Sequence, residues 1–191
     1  MPEAKQRGWY SRGYLPHLDF REAIQAVTFR LADAVPRHLI ERWRSALRYE
    51  SEEERTQLLR KIARYEDVGA GACLLRNPDH ARIVAETLQH FDGDRYRLLE
   101  WVVMPNHVHV LFRPDAATLD RIVQSWKRFS ARQINRRLER SGIVWARDYF
   151  DRYIRDESHF NRTRAYIRNN PVKAGLCSEP EEWPFGSAFR E

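Results

Sequence analysis

The stretch Trp101-Val102-Val103-Met104-Pro105-Asn106-His107-Val108-His109-Val110-Leu111-Phe112 decides how this chain folds. Its turn-forming centre, 104–106, separates two apolar segments, so the pattern predicts two short strands. Side chains after the turn alternate, and alternate side chains of a strand face opposite ways. We therefore expect one apolar face and one face that carries two histidines. The apolar face comprises Val108, Val110 and Phe112, and the opposite face comprises His107, His109 and Leu111.

Two histidines that point the same way from one strand are candidate metal ligands. Their Cβ atoms are about 7 Å apart on an ideal strand, so both imidazoles can reach one ion. A pair of exposed histidines on an ordinary strand has the same pattern, and this spacing alone does not distinguish the two interpretations.

Composition indicates a folded chain with one domain over residues 1–191. The chain is 42% hydrophobic and 31% charged, and no apolar segment approaches the roughly 20 residues that span a bilayer. Residues 1–7 lack the apolar segment of a secretory signal, so we expect a cytoplasmic protein. Cys73 and Cys177 match no zinc or redox spacing; we expect both to be reduced and Cys73 to be buried.

The positive charge is concentrated after the histidine strand. Residues 113–168 hold 14 Lys/Arg against 7 Asp/Glu, a net charge of +7, whereas the whole chain carries +6. Most of this surplus is arginine, whose planar guanidinium suits phosphate. The pattern indicates a polyanionic partner, nucleic acid first, although a solvated basic helix face has the same composition.

The predicted elements define an α+β fold. Without a helical insertion over 37–66, their order is β-α-β-β-α-β, which is typical of a ferredoxin-like antiparallel sheet with helices on one face. The histidines would then lie on the open face or at its edge. Strands are predicted over 24–31, 96–103, 107–112 and near 149–154, and helices over 37–49, 51–65, from Asn77 to before Asp92, 117–140 and 157–169, where Pro171 ends the last helix.

Two segments carry candidate nucleic-acid contacts. The helix over 117–140 has an apolar stripe at helical spacing, and basic residues lie largely outside it. Residues 8–17 mix aromatics with cations in an irregular arm that could stack on unpaired bases or simply pack on the core. The stripe comprises Leu119, Ile122, Val123, Trp126, Phe129, Ile134 and Leu138. The candidate DNA contacts are Trp9, Arg12, Tyr14, His17, Arg113, Lys127, Arg128 and Arg132.

The last predicted helix carries a candidate nucleophile. Tyr166 and Asn170 are four residues apart, so they share a face if the helix reaches Asn170. Tyrosine can attack a phosphodiester and leave a covalent intermediate. Asn170 would add an oxygen ligand to the two histidine nitrogens, a set suited to Mg²⁺ or Mn²⁺. From spacing alone, a half-buried tyrosine bonded through its hydroxyl is the simpler interpretation of Tyr166.

Several motifs together make the chain resemble the REP-associated tyrosine transposases, relatives of the single-tyrosine HUH transposases of small insertion sequences. The resemblance runs from about residue 8 to 187. It rests on Trp101–His109, Trp126-Lys127-Arg128-Phe129-Ser130, Tyr149-Phe150-Asp151, Tyr153–Glu157, Tyr166-Ile167-Arg168-Asn169-Asn170-Pro171-Val172-Lys173-Ala174-Gly175-Leu176 and Arg12-Gly13-Tyr14-Leu15-Pro16-His17.

The resemblance implies an endonuclease and strand transferase that acts on single-stranded DNA beside palindromic REP hairpins. His107 and His109 would be metal ligands. Asn170 would be a third ligand, at a position where insertion-sequence relatives carry glutamine. Tyr166, on a nucleophile helix over 157–170, would form a 5′-phosphotyrosine and release a 3′-hydroxyl. The implied cofactor is Mg²⁺ or Mn²⁺, and the implied partner is DNA of the nucleoid.

The resemblance leaves three points open. Asp151 would orient a ligand or a basic neighbour from behind, or else pair with Arg152 or Arg155 as an ordinary strand-end carboxylate. Insertion-sequence relatives are dimers that exchange their tyrosine helices, and this chain is compatible with a monomer or a homodimer. A hairpin-binding protein that no longer cuts is the main alternative function, ahead of a replication nickase or a hydrolytic metalloenzyme.

Overall fold

The computed structural model describes residues 8–11, 16–19, 23–36, 38, 39, 41 and 69–190, the first two segments by their backbone. The strands are β1 (Gly8–Ser11), β2 (Pro16–Asp19), β3 (Gln25–Arg30), β4 (Tyr96–Val103), β5 (His107–Pro114) and β6 (Phe150–Tyr153). The α-helices are α1 (Pro78–Gln89), α2 (Leu119–Arg137) and α3 (Glu157–Lys173), and 3₁₀ turns cover Leu74–Arg76 and Pro180–Glu182.

The central sheet has four antiparallel strands in the order β4-β5-β3-β6. The chain order β3-α1-β4-β5-α2-β6 confirms the predicted β-α-β-β-α-β arrangement and the α+β class. Strand β5 lies in the interior of the sheet, paired with β4 on one side and β3 on the other. Its side chains therefore have neighbours along both edges and above both faces.

One face of the sheet forms the main core with α1 and α2. The predicted alternation of β5 is confirmed, since Val108, Val110 and Phe112 are fully buried in this core. Trp126 of α2 packs against Phe112 and donates its indole N–H to the Tyr96 hydroxyl at 2.8 Å. This face of the sheet accounts for most of the apolar residues that the sequence pattern marks as core.

The predicted stripe of α2 is wrong at two positions. Phe129 is 48% exposed and Leu138 is 36% exposed, whereas the other stripe members are buried. The buried stripe is centred between Trp126 and Ser130, so Phe129 falls at its margin. Leu138 comes after the last helical residue, Arg137.

The other face of the sheet is covered, which corrects the expectation of an open face. Helix α3 and the C-terminal segment pack there around a small apolar cluster of Val102, Met104, Leu111 and Ile167. Trp183 joins this cluster and donates its indole N–H to the Val103 carbonyl at 3.0 Å. The histidines of β5 are therefore buried under α3.

A bulge in β4 gives this second face a carboxylate. Leu98 lies opposite Phe112, but Glu100 lies opposite Leu111, so one extra residue, Leu99, interrupts the register. Before the bulge, even-numbered residues face the main core; after it, they face α3. Bulges commonly redirect a side chain in this way, and here the redirected side chain is Glu100.

Of three further predictions, the structure corrects two, and the third concerns residues that it largely does not describe. The arm predicted over 8–17 is not irregular at its described residues, because β1 and β2 pair as an antiparallel two-stranded sheet. Pro171 does not end α3, which continues to Lys173; the proline affects only the bond to the carbonyl one turn earlier. The helical insertion over 37–66 lies outside the described residues except at 38, 39 and 41.

Two expectations from composition are consistent with the described part of the chain. Cys73 is 7% exposed, which confirms its predicted burial, and both cysteines are free. None of the described helices has both the length and the apolar character needed to cross a bilayer.

Candidate active site

His107 and His109 converge on one point beneath α3. Both side chains are buried, and their Nε2 atoms are 3.0 Å apart. Alternation along β5 sends both rings to the same side, and α3 closes over them. Two ring nitrogens this close repel each other if both present lone pairs, so the arrangement favours an ion or a proton between them.

Asn106 fixes the tautomer of His107. Its amide nitrogen donates to the Ala70 carbonyl at 3.0 Å, so its oxygen faces the ring and accepts from Nδ1 at 2.7 Å. His107 therefore carries its proton on Nδ1 and its lone pair on Nε2. Gly71 (φ +90°) allows the approach of Ala70, because a Cβ there would lie 2.7 Å from the Asp33 carbonyl oxygen.

His109 is held in the same way by the neighbouring strand. Its Nδ1 is 2.7 Å from the Thr28 hydroxyl oxygen, and Thr28 lies directly opposite on β3. The Asn170 amide reaches down from α3, with Nδ2 3.2 Å from His109 Nε2. Rotation of this amide by a half turn would present its oxygen instead. The structure thus brings together all three predicted metal ligands.

The donor set fits a divalent ion. Two nitrogens that bind one ion at about 2.1 Å and a right angle are about 3.0 Å apart, which matches the observed histidine spacing. Burial, followed by the effect of His109, lowers the pKa of His107 well below its ordinary value, so the ring is neutral and able to bind metal. No cluster of three His, Cys, Asp or Glu side chains suits a metal among the described residues. The Asn170 amide, 3.2 Å from His109 Nε2, could supply a third ligand.

Tyr166 lies beside this histidine pair. Its ring is 38% exposed and makes an edge contact with the His109 ring, with centroids 5.4 Å apart. Lys173 Nζ lies 5.5 Å from the centre of the tyrosine ring. Because α3 extends through Asn170, the two residues share one face of the helix as predicted. Both come from the same chain as the histidines.

Glu100 fastens α3 to the sheet. This buried carboxylate accepts from Arg164 Nε at 3.0 Å and from Arg168 at 3.2 Å, and it also accepts from the Ser187 hydroxyl. The two arginines lie on either side of Tyr166 along the helix. The carboxylate therefore fixes the height and rotation of the helix that carries the tyrosine.

A cavity of about 270 Å³ opens beside Tyr166. His109 and Thr28 line it together with two arginines and a second histidine. Its other walls come from β3, β6 and α3. The residues that line it also include Phe150, Arg152, His159, Arg162 and Thr163.

Comparison with known families agrees with this geometry. Residues 72–170, more than half of the chain, match the family described as "Transposase IS200 like". The match begins just before α1 and ends at Asn170, so it includes the histidine strand and the tyrosine helix. The chain belongs to the IS200-like transposase family. This confirms the family resemblance that its motifs indicate.

Individual members of this transposase family are similar over part of their length. One relative is a Haemophilus influenzae protein that is provisionally named a REP-associated tyrosine transposase. It is 26% identical over 117 residues, which cover 56% of this chain and 65% of the relative. The REP-associated tyrosine transposase of Escherichia coli is 25% identical over 99 residues, or 50% of this chain and 56% of the relative. The chain thus matches between about half and two thirds of the length of these curated relatives.

A solved structure has the same fold as this chain. It shows a REP-associated tyrosine transposase bound to a REP hairpin, and it is 15% identical in sequence. The TM-score is 0.54, with 90% of this chain and 79% of the other chain covered. At this identity the likeness concerns the fold, which it confirms.

The predicted DNA contacts of this transposase on β5 and α2 lie away from the histidines. Arg113 is exposed at the far end of β5, and Arg128 and Arg132 are exposed on α2, across the sheet from the site. Lys127 instead donates to the carbonyls of Ala146 and Arg147 at 2.7 and 2.9 Å, so it holds a loop of the fold. Of the remaining predicted contacts, Trp9 and His17 lie on β1 and β2, known by their backbone, and Arg12 and Tyr14 lie outside the described residues.

Asp151 is not brought to the histidines. It lies opposite Val27, on the side of the sheet that faces the main core, whereas Thr28 and Phe150 face the histidine side. A strand shows adjacent residues on opposite faces, so Asp151 does not orient a histidine, and that one of its predicted roles is wrong. Thr28 and Asn106 are the residues that orient the histidine rings.

Sequence reasoning missed most of the supporting residues of the site. Asn106 directly precedes the histidine strand, so its position gave a usable signal. Arg164 and Arg168 have helical i, i+4 spacing, but their partner Glu100 is more than sixty residues away, and no local pattern connects them. Thr28 was equally inaccessible, because its role depends on the β3–β5 register.

Proposed function

We propose that this chain is a metal-dependent endonuclease and strand transferase for single-stranded DNA, and that it acts next to REP-type palindromic hairpins. The observation that carries the proposal is the contact between the Tyr166 ring and His109, whose Nε2 converges with that of His107. A nucleophile beside a buried pair of neutral imidazoles suits in-line attack on a phosphodiester. A purely structural tyrosine needs no such pair.

The chemistry is a transesterification at one phosphate. The Tyr166 hydroxyl loses its proton, and its oxygen forms a bond to phosphorus while the bond from phosphorus to the 3′-oxygen breaks. The 3′-oxygen takes up a proton, which leaves a 5′-phosphotyrosine and a free 3′-hydroxyl. The reverse attack by a 3′-hydroxyl rejoins DNA, and the number of ester bonds stays constant throughout.

His107, His109 and Asn170 would hold the metal, for which we propose Mg²⁺ or Mn²⁺. Such an ion supplies Lewis-acid polarisation of a phosphate oxygen. The protein residues provide the rest: Asn106 and Thr28 keep the ring lone pairs aimed at one point, and Glu100 keeps α3 in place above it. Tyr166 is thereby fixed next to the site where the phosphate would lie.

The hairpin partner is proposed from the relatives. REP association is part of the names of the Haemophilus and Escherichia coli proteins, and the similar solved structure holds a REP hairpin. We propose that residues 8–17 contact bases beside the hairpin foot and that Arg113, Arg128 and Arg132 contact phosphates, within one domain that acts on the nucleoid in the cytoplasm. One chain already contains the nucleophile and the histidine pair, so the chemistry requires no second copy.

The test is a covalent-adduct assay. Single-stranded oligonucleotides carrying a REP-like hairpin and its flanks, labelled at either end, are incubated with protein and Mg²⁺ or Mn²⁺ and run on a denaturing gel. We expect a metal-dependent protein band that carries only the 3′-end label. Tyr166→Phe should abolish this band and keep hairpin binding, because only the hydroxyl is lost.

Tyr153→Phe is the matched control, since Tyr153 is on β6 and not on the helix with Asn170. It should form the adduct like the unmodified protein. Adduct formation by Tyr166→Phe would move the nucleophile elsewhere. Hairpin binding with no adduct under either metal would instead favour a binding protein on the same fold.

A further inference from the structure

We propose that the cavity beside Tyr166 binds the unpaired nucleotide that adjoins the cut, with Arg152 and Arg162 as its phosphate ligands. This inference rests on the proposed function and adds a subsite to it. His109, Tyr166 and both arginines line this one cavity. A DNA strand that presents a phosphate to Tyr166 would therefore place its neighbouring unit within reach of the arginines.

The first support is the arrangement of side chains along α3. His159, Arg162 and Tyr166 follow one another at spacings of three and four, so they lie on one face of the helix. Arg162 is one turn from Tyr166, a rise of about 6 Å along the axis. Asn170 continues the same face into the histidine site. One helix thus aligns the metal ligand, the nucleophile and a cation in a row.

The second support is the charge of the cavity. Its lining among the described residues includes two arginines and two histidines but no aspartate or glutamate. The carboxylate of Asp156, one of those near this lining in sequence, accepts from the His159 backbone N–H at 2.7 Å and caps α3. Burial, together with Arg152 and then Arg162, lowers the pKa of His159, which is the expected effect of a positive field.

The third support is the shape and chemistry of the walls. Phe150 forms an aromatic wall, and the Arg152 guanidinium lies 5.9 Å from the centre of its ring. Aromatic rings stack on unpaired bases, and arginine binds phosphate through two N–H groups at once. At about 270 Å³ the space falls just below the usual range for drug-sized ligands, so it suits one nucleotide rather than a duplex.

The experiment combines a neutral-phosphate scan with arginine variants. Oligonucleotides with one methylphosphonate at each position around the cut are assayed for adduct formation. With unmodified protein, we expect one non-scissile position next to the cut to lower the adduct rate about tenfold. In the Arg152→Ala/Arg162→Ala protein the normal substrate should react about tenfold more slowly, and the methylphosphonate at that position should have no further effect.

Two variants control for the loss of charge and for folding. Arg155→Ala removes an exposed arginine of the same segment, which contacts the Tyr153 ring instead of lining the cavity, and should react like the unmodified protein. Arg152→Lys/Arg162→Lys keeps both charges without the two-pronged geometry and should lose only severalfold. If the alanine protein fails to fold, the lysine protein must still show a reduced methylphosphonate effect.

The outcomes separate this inference from the proposed function. No adduct with unmodified protein overturns both. A normal adduct with an unchanged rate in both arginine double variants overturns the subsite alone. The subsite is also overturned if a double variant keeps the full methylphosphonate effect at the same position, because another group would then contact that phosphate.

Discussion

The two faces of the central sheet are made by the same strands but serve different purposes. Towards α1 and α2, β5 presents Val108, Val110 and Phe112 to a core that is built mainly from apolar side chains. Towards α3, the same strand presents His107 and His109 among polar partners. Residues along β5 therefore alternate between the hydrophobic core and the candidate site. Substitutions one position apart should separate stability from chemistry.

Both faces of the sheet are buried, but different interactions stabilise the buried side chains on each. The core face gains free energy from removing apolar surface from water. The α3 face buries polar groups, which is tolerable only with hydrogen-bond partners. Asn106 and Thr28 are the hydrogen-bond partners of the two histidines. Glu100 is the partner of Arg164 and Arg168. The α3 face is consequently specified by individual contacts, whereas the core face is specified by size and hydrophobicity.

The largest effect should come from His109→Ala, compared with Val110→Ala next to it. His109→Ala should lower the adduct rate by at least about 100-fold, as when a group that stabilises the transition state is lost. It should lower the free energy of unfolding less than Val110→Ala does, because relief of the close approach of the two ring nitrogens offsets the lost hydrogen bonds. Val110→Ala should reduce the free energy of unfolding by about 2–3 kcal/mol through a core cavity and leave the folded protein reactive. Adduct assays and urea denaturation measure the two effects. Equal loss of stability in both variants would contradict the separation of the two faces.

A smaller effect is expected for Asn106→Ala. His107 would lose the acceptor that fixes its tautomer, so the protein should need about 10–100-fold more metal for half-maximal adduct formation. The measurement is a metal titration at saturating DNA. Asn135→Ala removes an amide that bonds only within the end of α2 and its loop, and it should leave the titration unchanged. An unchanged midpoint for Asn106→Ala would mean that this hydrogen bond does not orient the ring.

Glu100→Gln should have a severalfold effect on the adduct rate. The amide keeps the shape of the carboxylate but loses the charge that holds Arg164 and Arg168, so α3 should be less firmly placed. Both arginines are partly exposed, and we expect a stability loss of only about 1–2 kcal/mol. Glu86→Gln, an exposed residue of α1, is the control. A rate equal to that of unmodified protein would show that the apolar contacts of Ile167 suffice to position α3.

The smallest effect concerns Lys127 and pH, on the core side of the sheet. Burial lowers the pKa of Lys127 from 10.5 to about 8, so the folded protein releases this proton first as pH rises. Between pH 8 and 10.5 the unfolded state binds more protons, and this group therefore adds stability with rising pH. The free energy of unfolding of the unmodified protein minus that of Lys127→Met should therefore increase from about pH 8 to about pH 10. A pH-independent difference would contradict the lowered pKa.

Sequence alone predicts the parts of the molecule that have strong periodicity. The β5 alternation placed two histidines on one face, and the helix starts predicted at Asn77 and near Glu157 agree with the starts of α1 and α3. The i, i+4 spacing of Tyr166 and Asn170 likewise survived folding, because α3 is continuous between them. These features depend on residues close together in the chain, where a pattern contains the necessary information.

What the sequence could not supply depends on register and on distant contacts. Asp151 was assigned to the site although Phe150 is the residue that faces it, because β6 is short and its pairing with β3 decides the face. Lys127 resembled a DNA contact until its ammonium group was seen to bond two backbone carbonyls. Charge and spacing do not reveal such partners.

The Leu99 bulge has a consequence for how relatives of this protein are compared. If the same residues paired without the bulge, Leu99 would lie opposite Leu111, and Glu100 would lie opposite Val110 and face the main core. A one-residue shift of the pairing register there is thus also a change of face. An alignment that slides by one position across this strand would equate residues that serve opposite sides of the sheet, even where the apolar pattern matches well.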